Sequence, residues 1–288
     1  MKTFNFTRFG LVAATLAFGF SAVSHAAPQN YTMTMDLCTN GTTATTYSGS
    51  APFCRKTPDK YEVTIYEMGF CTTHPFADGA ETNAAATMDK STCTTIFTNT
   101  AGSTIDIAAT IGATSKLEGT ATRPADGTYG YPYMIMSNDF TISGSVIGLD
   151  GNTYYTRSNG TPNTTAAQDY TYTLSNLGPG TTCYSGSIDQ TGTAGTIDAY
   201  LTNAALARRD QGDTSGSSPN ISCSGATRLI GVMDLDTPFT VTPKTSQVVF
   251  AFDVTGQGLR VMSQSGGNTV VAIQSGPFSG NFSVVNID

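Results

Sequence analysis

Tryptophan is absent from the 288 residues, histidine occurs twice, and glutamate is confined to Glu62, Glu67, Glu81 and Glu118. One histidine, His25, falls in an N-terminal leader, which leaves His74 alone in the remainder of the chain. Hydrolytic and metal chemistry is assembled from clustered His, Glu and Asp, so this shortage argues for a protein that is not an enzyme and has no cofactor. Charge is equally sparse: 14 Lys and Arg stand against 21 Asp and Glu, for a net −7. The only adjacent basic pairs are Arg55-Lys56 and Arg208-Arg209. Nucleic acid is therefore not an expected partner, because neutralising phosphates needs a basic face. No stretch after the leader approaches the roughly 18 apolar residues that cross a bilayer, so no membrane span is expected. A zinc site is excluded on spacing, since the chain has no C-x-x-C pair.

What is present is threonine, about one residue in six, with much Ser, Asn and Gly. Residues 1–26 read as a signal peptide: Lys2 and Arg8 give a basic start, Gly10 to Phe20 an apolar run, and Ser24-His25-Ala26 a small-x-small cleavage site. The expected location is secreted: periplasm, cell surface or extracellular. Export gives the six cysteines a meaning, because disulfides persist in such compartments. Cys38, Cys54, Cys71, Cys93, Cys183 and Cys223 form an even set. Nearest-neighbour pairing (Cys38 with Cys54, Cys71 with Cys93, Cys183 with Cys223) closes short loops without crossing, although six cysteines allow 15 connectivities.

The hydrophobic pattern has period two. Tyr31, Met33, Met35 and Leu37 alternate with polar residues, as do Tyr61, Val63 and Ile65, and Val248, Phe250, Phe252 and Val254. Turn signals separate the runs: Asn40-Gly41, Asp126-Gly127, Asp150-Gly151, Asn159-Gly160, Gly256-Gln257-Gly258. The expected fold class is all-β, with β-sandwich-like antiparallel sheets stabilised by disulfides and at most one short helix. The spacing of Ile197, Tyr200, Leu201, Ala204 and Ala205 predicts that helix over Ile197 to Arg209; Ala84 to Met88 could form another helical turn. A division near residue 150 separates an N-terminal β region with four cysteines (27–150) from a C-terminal one with two (151–288), with a single continuous domain as the alternative.

Five constellations could carry function. His74, in Cys71-Thr72-Thr73-His74-Pro75, is the only histidine a Ser-His-Asp arrangement could use, but no G-x-S-x-G elbow accompanies it. It reads as an exposed loop histidine. Glu62 and Glu67 lie five apart, hence on opposite faces of a strand unless it bulges. Asp234 and Asp236 share a face and could edge a calcium site, without the rest of an EF-hand loop. Tyr129, Tyr131 and Tyr133 form a same-face ladder, which is either sheet packing or a stacking platform for polysaccharide. Finally, Tyr31, Met33, Met35 and Leu37 would make an assembly strand able to add to its own sheet or to a neighbour's edge. These features favour a surface or matrix structural protein, a fibre subunit or adhesive module assembling by strand addition through self-association or with other surface proteins. A carbohydrate- or ligand-binding module without catalysis is the alternative.

Overall fold

A computed structural model describes residues 36–38, 53–76, 86–112, 115–177, 186–189, 195–209, 223–264 and 269–286. The signal peptide lies outside them, as do Tyr31, Met33, Met35 and Cys183. Among the described residues the strands are, in chain order, β1 (Asp36–Leu37), β2 (Phe53–Lys56), β3 (Lys60–Cys71), β4 (Cys93–Asp106), β5 (Thr120–Ala121), β6 (Gly127–Tyr129), β7 (Tyr131–Ser137), β8 (Asp139–Ser143), β9 (Ser145–Ile147) and β10 (Thr153–Tyr155). They continue with β11 (Tyr170–Thr173), β12 (Gly186–Asp189), β13 (Gly195–Thr202), β14 (Arg228–Leu235), β15 (Phe239–Val241), β16 (Thr245–Asp253), β17 (Leu259–Ser263), β18 (Val270–Ser275) and β19 (Ser279–Asn286). The fold is all-β, with several antiparallel sheets; the described helical content is one 3-10 turn at Ala108–Thr110.

A nine-stranded sheet organises the molecule. Its axis is β3, which pairs with β4 along one edge and, along the other, with β7 and β8 laid end to end, so that Cys71 faces Tyr131 and Lys60 faces Ser143. β14 then flanks β7 and β11 flanks β8, and the sheet continues through β13 to β12. Where β14 and β11 abut, Asn138 is buried between β7 and β8, and its amide donates to the carbonyls of Leu174 and Ala226 at 3.1 and 3.3 Å. A buried side-chain amide thus replaces ladder bonds that the joint interrupts.

β3 shows how sequence becomes packing. Tyr61, Val63 and Ile65 point to one face, buried to 2% exposure or less. Irregularities in the pairing at Ile65/Glu67 and Met68/Gly69 then shift the phase, as β-bulges do. Gly69 is obligatory here: a Cβ would lie 2.5 Å from the Thr94 carbonyl and 2.6 Å from the Tyr133 ring.

Both faces of the large sheet are covered. The inner face packs Val63, Ile65, Met136, Phe140, Ile142, Leu201 and Leu229 against Cys54, Leu259, Val261, Val270 and Ile273 of a four-stranded sheet ordered β1-β2-β17-β18. Half-buried Phe250, Phe252 and Phe278, from the β16–β19 pair and its approach, join this core. The outer face buries Tyr133, Ile135, Tyr200, Ile230 and Val232 beneath Phe76 and Met88, with Leu206 alongside. Each such aliphatic or aromatic side chain contributes about 1.5–3 kcal/mol on burial.

Two disulfides are as paired in the expectation: Cys38–Cys54 ties β1 to β2, and Cys71–Cys93 joins residues directly opposite on β3 and β4. Cys223 is also disulfide-bonded.

The helix expected over Ile197 to Arg209 does not form. Residues Gly195–Thr202 are β13, paired over their whole length with β14. Ala199 and Leu201 enter the inner core while Tyr200 enters the outer one. A strand buried on both faces has apolar residues at every phase, and these mimic helical spacing. The chain turns sharply after it, with Leu206 at φ 61° and the Asn203 side-chain oxygen accepting from the Ala205 and Ala207 amides. Of the second candidate helical turn, residues 86–88 are extended, with Thr87 bridging to Ala207; Ala84 and Ala85 lie outside the described residues. The division near residue 150 runs through shared sheets, since β14 pairs with β7 and β17 with β2. No described helix is long and apolar enough to cross a membrane.

Candidate functional site

The outer face holds the lone histidine, and the expectation of an exposed loop residue is overturned there. His74 is 6% exposed, edge-on to the rings of Tyr131 and Tyr200 at 5.6 and 6.0 Å. Its Nδ1 accepts the Phe76 amide at 3.1 Å, and Nε2 lies 3.3 Å from an Asp198 carboxylate oxygen. An Nδ1 that accepts carries no proton, so in the neutral ring the proton sits on Nε2 and faces Asp198. Neither nitrogen is then free to deprotonate a nucleophile, which a general base requires. His74 instead pins the segment after β3 onto β13. Sequence reasoning missed this because the partner, Asp198, is distant in the chain and hidden in a segment read as helix.

The carboxylates are similarly engaged. The bulge in β3 does bring Glu67 to the Glu62 face, but Glu62 pairs with Lys60 at 3.0 Å and Glu67 with Lys90 at 2.7 Å. Glu67 also accepts from the Tyr133 hydroxyl at 2.6 Å. Asp234 and Asp236 are both exposed, and no group of three or more His, Cys, Asp or Glu converges among the described residues.

The tyrosine ladder is divided. Tyr129, on β6, is 4% exposed and packs with Phe70 and Phe239. Tyr133 is 3% exposed within the outer core, and Tyr131 is half-buried beside it. Burial foremost, with the Glu67 carboxylate, pushes the Tyr133 hydroxyl above its ordinary range; burial does the same for Tyr131, aided by Asp234. Two of the three rings are therefore unable to offer a face to a sugar, and of the two readings of the ladder it is sheet packing that describes Tyr129 and Tyr133. Of the assembly strand, Leu37 is exposed and lies in β1, which forms the outer edge of the four-stranded sheet and pairs in parallel with β2 of the same chain.

The feature that sequence could not announce lies between the sheets. A cavity of about 240 Å³ opens beneath β16 and the turn before β19. Its floor is the inner face of β7, β14 and β13, with Met134 and Met136, Leu229 and Met233, and Ile197 and Ala199; its roof is Phe250, Phe252, Pro277 and Phe278. Tyr61 and Phe140 close one end, with the Tyr61 hydroxyl bonded to Ser275 at 2.9 Å. Burial drives the Tyr61 phenol far above its ordinary range, so it remains neutral.

The register explains the hollow. Gly186, Ala199, Gly231 and Met134 are aligned across β12, β13, β14 and β7. Three of four neighbours in this row are Gly or Ala, where adjoining rows carry Met, Leu and Ile. At Gly231 a Cβ would meet only Ile197, at 3.8 Å. The space is thus left by a missing side chain and not taken up by backbone. A hint was available in the sequence, namely a glycine amid Leu229-Ile230-Gly231-Val232-Met233, but its alignment with Ala199 requires the register.

No family model, curated protein or solved structure matches this chain.

Proposed function

We propose that this is an exported, non-catalytic binding module that encloses a small apolar ligand between its sheets. The cavity carries the reading. Protein interiors pack to the density of organic crystals, so an apolar hollow of about 240 Å³ between two sheets departs from ordinary core packing. A lining of Met, Phe, Leu and Ile is one that excludes water and accepts apolar molecules; an engineered apolar cavity of about 150 Å³ in another protein binds benzene. The methionines add adaptability to ligand shape. The engaged nitrogens of His74 and the paired glutamates support the absence of catalysis, and the disulfides support export.

The test is calorimetric titration of the oxidised chain with a short neutral amphiphile such as octanol. Binding is expected, and filling the hollow with Gly231→Leu or, on the neighbouring strand, Ala199→Leu should abolish it while the variants stay folded. Unchanged octanol affinity in both variants, or no binding to the native protein, would sink the reading.

The second reading, a surface or matrix subunit assembling by strand addition, draws on one observation: β1 is a two-residue edge strand with an outward side that has no described partner strand. An unprotected edge is a template for another chain. Deleting residues 27–37 and comparing oligomeric state by size exclusion tests it; equal monomers with and without the segment would remove it.

A further inference from the structure

Aromatic rings follow one another around the hollow in a continuous arc. Phe250 and Phe252, on one face of β16, have centroids 4.8 Å apart; Phe252 lies 5.3 Å from Phe278, Phe278 6.1 Å from Phe140, and Phe140 5.7 Å from Tyr61. All of these rings line the cavity. Each pair is tilted or edge-on, so no ring of the arc is stacked face to face on its neighbour. Phenylalanine is ordinarily among the most buried residue types, yet Phe250, Phe252 and Phe278 are only half-buried. The roof thus keeps aromatic surface that its own chain does not cover.

The floor opposite is low and soft. At Gly231 no Cβ projects, and at Ala199, its register partner, only a methyl does. Ile197 marks the height of the space: its side chain reaches within 3.8 Å of the Cβ position at Gly231 and within 3.8 Å of that at Gly280 on β19. Floor and roof are there one side chain apart, which makes the hollow a slot. Beside Gly231 stand two thioethers of the lining, Met134, its partner on β7, and Met233, two residues along β14. Thioether sulfur makes favourable contacts with aromatic rings, often at the ring edge, and tilted ring pairs gain beyond their buried area. A saturated guest of equal size collects neither gain. The lining also holds Tyr172, the register partner of Phe140 on β11. Its hydroxyl makes no hydrogen bond among the described residues, and burial foremost raises its phenol, so it stays a neutral donor.

We propose that the ligand is a small uncharged aromatic molecule bearing one oxygen, its ring in the slot between the Met134 and Met233 thioethers and the Phe250–Phe252–Phe278 arc, its oxygen accepting from the Tyr172 hydroxyl. This rests on the cavity reading above and adds the chemical class of the guest to it. Scaling from the benzene-sized precedent, the guest has on the order of ten heavy atoms, the size of one ring with a short substituent. The aromatic walls supply discrimination that an aliphatic pocket lacks, since such a pocket separates apolar ligands chiefly by size.

The experiment compares phenylethanol, cyclohexylethanol and octanol, alcohols with the same number of heavy atoms, by calorimetry on the full oxidised chain. The saturated alcohols bury more apolar surface, so the hydrophobic effect alone favours them. Phenylethanol should nevertheless bind about fivefold or more tighter than cyclohexylethanol, the factor that one or two ring contacts supply. Replacing the half-buried roof rings together, Phe250→Leu with Phe252→Leu, should erase that preference and leave octanol binding in place. Tyr172→Phe should weaken phenylethanol about threefold or more, as loss of one hydrogen bond does, with the aromatic preference kept. The wild-type comparison needs no variant to fold. Cyclohexylethanol or octanol binding as tightly as phenylethanol overturns the aromatic assignment while the cavity reading stands. A preference that persists in the double leucine variant, or phenylethanol affinity unchanged in Tyr172→Phe, overturns the site as drawn. Failure of all three alcohols to bind overturns the cavity reading and this inference together.

Discussion

The two faces of the nine-stranded sheet are built from the same strands and filled differently. On the outer face, successive side chains of β7 and β14 (Tyr133 and Ile135, Ile230 and Val232) meet a cap formed by the segments after β3 and β13. That cap is fastened by Cys71–Cys93, by the His74–Asp198 pair and by the Phe76 ring 4.3 Å from that of Tyr200. On the inner face, the alternate residues of the same two strands are Met134, Met136, Leu229, Gly231 and Met233, and above them space remains. The contrast teaches that burial on both sides of a sheet need not mean equal packing. One face is closed by specific polar and covalent ties, and the other by flexible and small side chains that leave a hollow.

That comparison can be broken most severely on the inner face. Phe140→Ala, which removes a 1% exposed ring against Tyr61 and Phe278, should destabilise the chain by about 3–5 kcal/mol, seen in chemical denaturation. It should also admit larger ligands to the inner cavity. A comparable loss confined to the outer face, Ile230→Ala, should cost about 2–5 kcal/mol and leave octanol affinity unchanged; a change in affinity would show that the faces are coupled. Replacing Cys71 and Cys93 together by Ser should remove about 3 kcal/mol, from a loop of 22 residues, with the inner face again indifferent. Asn138→Ala, which strands the carbonyls of Leu174 and Ala226, is expected to cost about 1–3 kcal/mol in thermal unfolding. The smallest effect belongs to the exposed threonines. Thr64 and Thr104 share a hydroxyl hydrogen bond of 2.9 Å across β3 and β4, and Thr64→Val should change stability by less than about 1 kcal/mol.

Those threonine pairs also show what was legible. Thr64–Thr104, Thr128–Thr240 and Thr141–Thr171 each sit directly opposite on paired strands and share a hydrogen bond. Their abundance was readable as β-surface chemistry before any partner was known. The alternation in Tyr61-x-Val63-x-Ile65 foretold the inner core for the same reason: period two in a strand maps directly onto a face. Asp150-Gly151 and Asn159-Gly160 were readable as turns, and both glycines adopt positive φ.

Elsewhere local patterns misled. Ile197 to Leu201 resembled a helix because both faces of β13 are buried, a property of its neighbours in the sheet. The tyrosines at 129, 131 and 133 shared a phase, yet Tyr129 joins a separate pair of strands with Phe239, and period alone does not say whether a face meets water. His74 resembled a loop residue because its environment comes from Asp198, Tyr131 and Tyr200 on other strands.

Strand content, turn positions and the shortage of catalytic side chains were determined by the sequence, because each depends on residue type or on spacing within a few positions. The pairing of Cys38 with Cys54 and Cys71 with Cys93 was suggested by proximity along the chain, and strand register made it definite. The cavity was decided only by tertiary structure. Gly186, Ala199 and Gly231 are unremarkable apart; aligned across three strands under the Phe250–Phe278 roof, they line a hollow that is open at Gly231, while Leu177 packs against Gly186.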